Sequence, residues 1–191
     1  MIRLSGFALL ALFSSPSAAA QAQAQPPGPQ VVSAPALPAT LGNFQLVDTR
    51  IYADSLLGTW YTYADTRDRR VTVMVQPSHL TNEDAGPGEI VDRAVRSFKG
   101  SRGALAPGAT REFIHDRPDT LDAGGGALPG YVVAVLERGP GAERLTALHV
   151  YVLGSRYVRV MSTLYGGAAE LDRAARFVRE VVPAVIAARH P

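Results

Sequence analysis

An α+β domain built on an antiparallel sheet is what three runs near the C-terminus predict. Residues 131–136 (YVVAVL), 145–153 (LTALHVYVL) and 156–164 (RYVRVMSTL) are rich in β-branched and aromatic side chains, and short glycine-bearing turns separate them. The Gly154-Ser155 pair suits a two-residue type II′ turn, because glycine accepts the positive φ at its first position. That turn sets Val152 opposite Tyr157, Val150 opposite Arg159 and Leu148 opposite Met161 on one face. On the other it pairs Tyr151 with Val158, His149 with Val160, and Leu145 with Leu164. Both faces are largely apolar, whereas a sheet with one wet face shows polar residues at every second position. Each face therefore needs a cover, and the chain supplies two amphipathic helices. The predicted architecture is an antiparallel β-sheet of about six strands covered by helices on both faces, an α/β/α sandwich.

The elements follow in chain order. Residues 1–20 have the three parts of a secretory signal: Arg3, an apolar run over 4–13, and small residues up to a cleavage site after Ala20. The apolar run is about half the ~20 residues that a membrane span needs. Residues 21–40 are rich in Ala, Gln and Pro, with Pro26, Pro27, Pro29, Pro35 and Pro38 stiffening them. Such a stretch buries too little apolar surface to offset its ordering entropy, so it reads as a disordered, semi-extended tether. A single α+β domain is expected over 41–191, long enough for a core without staples.

Within that domain, 44–52 is a first strand, and 58–64 (GTWYTYA) and 70–76 (RVTVMVQ) form a hairpin about the polar turn 65–69, stopped by Pro77. Residues 77–88 read as a loop. A short helix over 89–98 places Ile90, Ala94, Val95 and Phe98 on one face, and Gly100 and Gly103 end it. Residues 111–115 read as a short strand. Residues 116–130, with two prolines and three consecutive glycines, read as the most mobile loop. A final helix over 168–188 aligns Leu171, Ala174, Ala175, Val178, Val182, Val185 and Ile186, with Pro183 as a kink.

This order of hairpin, helix, meander and C-terminal helix resembles the PsbP/Mog1-like α/β/α sandwich. The GTWYTYAD and VTVMVQP strands, and RYVRVMSTLY before the last helix, resemble segments of uncharacterised secreted bacterial proteins with that layout. The resemblance implies an envelope accessory or assembly protein rather than an enzyme, and it carries over no functional residue because it lies in core positions.

Composition removes several function classes. There is no cysteine, so disulfides, thiol chemistry, cysteine metal sites and a lipid anchor on cysteine are excluded. The 19 basic residues, less Arg3 of the signal, leave 18 against 17 acidic ones, scattered rather than clustered, which speaks against nucleic acid as a partner. No membrane span is expected in the mature chain. His79, His115, His149 and His190 stand singly without metal spacing, so no metal and no cofactor is expected. His115-Asp116 is the one neighbouring pair that a hydrolase would use as a base, and a loop histidine beside a solvated carboxylate explains it better. His149 reads as a hydrogen-bonded core histidine. Gly154-Ser155 is a turn rather than a nucleophile elbow, and no catalytic residue is assigned.

One binding constellation stands out: Tyr157, Arg159 and Met161 share a strand face, near the aromatic strand of Trp60, Tyr61 and Tyr63. Arginine over an aromatic ring is a common binding-surface pairing; the structural reading, an Arg159 stem covering apolar surface with its head paired to a nearby acid, explains the pattern more simply. The expected function is a non-enzymatic periplasmic or secreted accessory domain that binds a protein or cell-envelope component. The alternative is a carrier of a small ligand or lipid in a cavity between sheet and helix.

Overall fold

Alternation and turn chemistry fold most of the chain into strands, and the two helices close over them. The computed structural model of the chain describes residues 36–52, 57–67, 69–77, 86–124, 126–154 and 156–188. The expected signal, most of the expected tether and most of the loop 77–88 lie outside the described residues. The elements run β1 (Thr40–Leu41), β2 (Phe44–Ile51), β3 (Thr59–Ala64), β4 (Arg70–Pro77), α1 (Pro87–Gly100), β5 (Thr110–Asp122), β6 (Ala127–Gly139), β7 (Ala142–Leu153), β8 (Arg156–Tyr165) and α2 (Glu170–Ala187). The strands make one sheet in the order β1-β2-β3-β4-β8-β7-β6-β5, and every neighbouring pair is antiparallel.

The sheet has eight strands, not about six. β1 adds a strand to those expected, and in 110–139 the expected short strand and mobile loop are one long β5–β6 hairpin. Only its tip turns, with the Ala123 amide donating to the Gly126 carbonyl and the Gly124 amide to Asp122 Oδ1. The prolines that argued for a loop sit where they cost no ladder bond. Pro118 is on β5, the edge strand, and Pro129 lies on β6 just beyond the last β6–β7 pair, Gly130↔Tyr151.

Residues 37–40 pack with the domain. Leu37 is buried, Tyr63 Oη donates to the Pro38 carbonyl at 2.8 Å, and the Leu46 amide donates to the Ala39 carbonyl. The β7–β8 hairpin has the expected register at all six predicted pairs. Gly154 takes φ 61° at its turn, where an L side chain would be strained.

Alternate residues divide the core in two. Tyr61, Tyr63, Val71, Val73, Val75, Tyr151, Leu153, Val158, Val160 and Leu164 pack under α2, against Ala174, Phe177, Val178, Val181, Val182 and Val185. Phe177 meets the rings of Phe44 and Tyr63 edge-on. Each valine removed from water here is worth about 1.5–3 kcal/mol. Arg69, buried in the β3–β4 turn, pairs with Asp65 and reaches Glu170 at 3.4 Å, which ties that turn to the start of α2.

The opposite face carries α1. Ile90, Val91, Ala94, Val95 and Phe98 pack on Val133, Val135, Leu148, Val150, Val152 and Tyr157. These belong to β6, β7 and the start of β8; no residue of β2, β3 or β4 joins this cluster. The helices do lie on opposite faces, but α2 spans its face whereas α1 covers only part of the other. No helix among the described residues is long and apolar enough to cross a membrane.

Candidate functional site

The incomplete cover leaves a concave surface beside β8. Its cavity of about 640 Å³ lies between the segment 101–109 that follows α1 and the adjoining strands β5 to β8. That volume is within the range of small-molecule sites, ~300–1,000 Å³. Met161, Thr163 and Tyr165 supply one wall from β8, and Leu105 and its alanine neighbours supply another. Tyr165 is 56% exposed and Leu105 also stands out in solvent.

The polar part of the lining is unbalanced. Three guanidiniums, Arg102, Arg111 and Arg144, line the cavity with one carboxylate, Glu137, while Arg138, the next residue of β6, borders it and turns its side chain to the other face. Glu137 is buried and both its oxygens are taken: Arg111 holds Oε1 at 2.8 Å, and Arg144 holds Oε2 through Nε at 3.0 Å and through Nη2. Burial pushes the Glu137 carboxyl up, but the two arginines outweigh it and hold the group below its usual range. Arg138 is satisfied elsewhere, by Glu112 and Glu143.

Among the described residues Arg102 has no carboxylate partner. Its guanidinium lies 3.9 Å from the Phe98 ring centroid, a cation–π contact between residues four apart. Its Nε is buried without a hydrogen-bond partner. Burial lowers its pKa, Arg111 and Arg144 lower it further, and Glu137 offsets part of this. The arginine-on-ring pairing expected near Arg159 occurs here instead, and the four-residue spacing of Phe98 and Arg102 is the signal that could have found it.

The three predicted residues do share one face of β8, but differ in exposure. Tyr157 is buried under α1 in its apolar cluster. Arg159 is half-buried; its Nη1 is 3.4 Å from Gln76 Oε1 and its Nε has no hydrogen-bond partner. Met161 lines the concavity. Of the aromatic strand, Tyr61 and Tyr63 point to α2, and burial raises both hydroxyls to about 12. Trp60 lies on the other face, edge-on to Tyr52, with its Nε1 donating to the Leu57 carbonyl at 2.8 Å.

The α2 side holds a smaller cavity of about 210 Å³, between α2 and the β5–β7 wing. His115, Arg117, Asp119, His149 and Tyr151 line it from the sheet, and Asp172 and Arg179 from α2. Tyr151 lies across Gly130, where a Cβ would overlap its ring, and its hydroxyl donates to Asp119 on β5. His149 is only 2% exposed, yet neither ring nitrogen has a hydrogen-bond partner. The expectation of a hydrogen-bonded histidine is thereby corrected. Burial lowers its pKa to about 4.

The His115-Asp116 pair does not converge. Successive residues of a strand point to opposite faces, so His115 lines the α2-side cavity while Asp116 joins Lys99 at 2.6 Å and Tyr131 at 2.9 Å on the other face. Among the described residues no group of His, Asp or Glu is placed to hold a metal ion.

No protein-family model matches the chain, and no curated protein matches its sequence. Solved structures do. The solution structure of cyanobacterial PsbP from Synechocystis is 11% identical over 81% of this chain and 94% of that one, with a TM-score of 0.42. The Ran-binding protein Mog1p of Saccharomyces cerevisiae and a mutant Mog1 are 12% and 13% identical. Each comparison covers 69% of this chain and 72% of the other, at a TM-score of 0.36. The fold has a PsbP/Mog1-like outline. The likeness is loose, and it transfers no site residue.

Proposed function

We propose that this chain is an exported accessory domain that binds a protein partner in the periplasm or outside the cell, through the concave surface that α1 leaves bare. The observation that carries the reading is the concavity beside β8, where exposed Tyr165 and Leu105 adjoin a cluster with more guanidiniums than carboxylates. An apolar anchor beside a charge surplus is the usual make-up of a specific docking patch. The occupant this favours is a partner segment bearing an acidic group next to apolar side chains. Tyr157, Arg159 and Met161 continue the same face, with Tyr157 as its buried support rather than a contact.

Site-directed photo-crosslinking in the producing cells tests this. A photoreactive residue at Tyr165 should give a discrete adduct with one protein, and the same probe at exposed Arg176 on α2 should give none. Equal adduct patterns at both positions, or no adduct at Tyr165, refute the docking surface.

A second reading, a carrier in the sheet–helix cavity, is favoured by the two unpartnered nitrogens of His149. That cavity is rimmed by Arg117, Asp119, Asp172 and Arg179, so a small polar ligand fits it and a lipid chain does not.

A further inference from the structure

We infer that the concavity contains an anion subsite at Arg102, which receives a carboxylate or phosphate group attached to an apolar segment. The inference rests on the docking reading and names the chemistry of what docks.

The argument is one of missing charge. Three guanidiniums share the cavity lining with Glu137, and this carboxylate has room for two. Arg111 and Arg144 occupy both its oxygens, and Arg111 Nη2 also donates to the Gly103 carbonyl at 2.9 Å. Among the described residues Arg102 Nε is buried without an acceptor, and no second carboxylate lines the cavity. The carbonyl end of α1 nearby offers only a partial negative charge. The Phe98 ring, 3.9 Å from the guanidinium, holds it in place on one side, so part of its ordering cost is met before a ligand arrives.

An oxyanion is the group that fits. A planar guanidinium binds carboxylate and phosphate oxygens through paired N–H donors, and Thr146 and Thr163 add hydroxyls to the same lining. The rest of the wall is apolar: Ala104, Leu105, Ala106, Ala109, Met161 and the ring of Tyr165. A bare inorganic anion would leave that wall against water, so an anion with an apolar tail binds better.

The test titrates the full chain with inorganic phosphate, acetate, hexyl phosphate and hexanoate at constant ionic strength. Binding is read from the Arg102 side-chain Nε–Hε resonance, assigned by its loss in Arg102→Gln. Each probe should shift the resonance saturably, and the hexyl forms should bind at least tenfold more tightly than phosphate and acetate. Hexyl phosphate outranking hexanoate identifies a phosphate ester as the natural group; the reverse identifies a carboxylate. Isothermal titration of Arg102→Gln should show at least tenfold weaker binding at an unchanged melting temperature. Arg102→Lys, which keeps the charge and loses the fork, should fall between, and Arg96→Gln on exposed α1 surface should bind as the parent does. Non-saturable shifts, or equal affinity in Arg102→Gln, overturn the subsite. The Tyr165 adduct reports separately on the docking reading: a subsite that binds anions without any Tyr165 adduct retires the protein partner and leaves the anion site standing.

Discussion

The two faces of the sheet carry similar apolar strands and end in different states. Under α2, twenty buried residues form one cluster that reaches from Leu37 to Val185, and the charged groups stay at its margins. Under α1, the cluster holds eleven residues and stops at β8. Past that boundary the same strand presents Arg159, Met161, Thr163 and Tyr165, and the arginine-rich concavity opens. A face closed by a long helix contributes stability. A face closed by a short one keeps side chains whose contacts are incomplete, and incomplete contacts are what a partner can finish.

The largest effect that sharpens the contrast is expected at Val178, 1% exposed in the centre of the α2 cluster. Val178→Asp buries a charge without a partner and should cost about 4 kcal/mol in chemical unfolding. Val91→Asp, at the margin of the smaller α1 cluster, should cost at least ~1 kcal/mol less, because its carboxylate can turn to water. Equal losses would make the faces equivalent.

Acid should expose the buried histidine of the α2 face. The folded His149 pKa, about 4, lies below its ordinary value of 6.5. A depressed histidine contributes fully above pH 6.5, and its contribution falls as pH drops toward 4, since only the unfolded chain takes the proton. The loss should approach about 3 kcal/mol. His149→Leu should remove most of this slope, and because neither nitrogen is bonded it should cost little at pH 7. An unchanged slope in the variant would place the titration elsewhere.

On the α1 side the corresponding buried charge is Glu137. Glu137→Gln removes the charge and sets an amide N–H against one of Arg111 and Arg144, and it should cost about 2 kcal/mol in thermal melts at neutral pH. A neutral outcome would mean that the arginines reach water on their own and that the cluster holds no excess charge.

How much of this was legible follows from where each signal is local. The β7–β8 register could be read residue by residue, because the Gly154 turn fixes the offset and both flanking strands are largely apolar. The β5–β6 hairpin could not. Its outer strand is an edge with Pro118, Asp116, Arg117 and Asp119, residues that break a strand pattern yet guard an edge against pairing. Asp116 and His115 looked like neighbours in sequence, and strand alternation parts them. The β8 face of Tyr157, Arg159 and Met161 was visible through the register, but its boundary with α1 was not, since helix length does not say how many strands it spans. Arg102 was hidden for a related reason: only tertiary packing shows that Glu137 is already occupied.

The proposed division between a stabilising face and a binding face is tested most directly at Tyr165, which lies on the bare part of β8. The measurement is Tyr165→Ser, followed both by unfolding free energy and by the yield of partner adduct from a photoreactive residue at Leu105. An exposed side chain at the end of a strand should change stability by no more than ~0.5 kcal/mol, while the adduct yield should fall at least fivefold. An adduct yield equal to the parent's, or a loss of stability comparable with that of Glu137→Gln, would contradict the account and return β8 to a purely structural role.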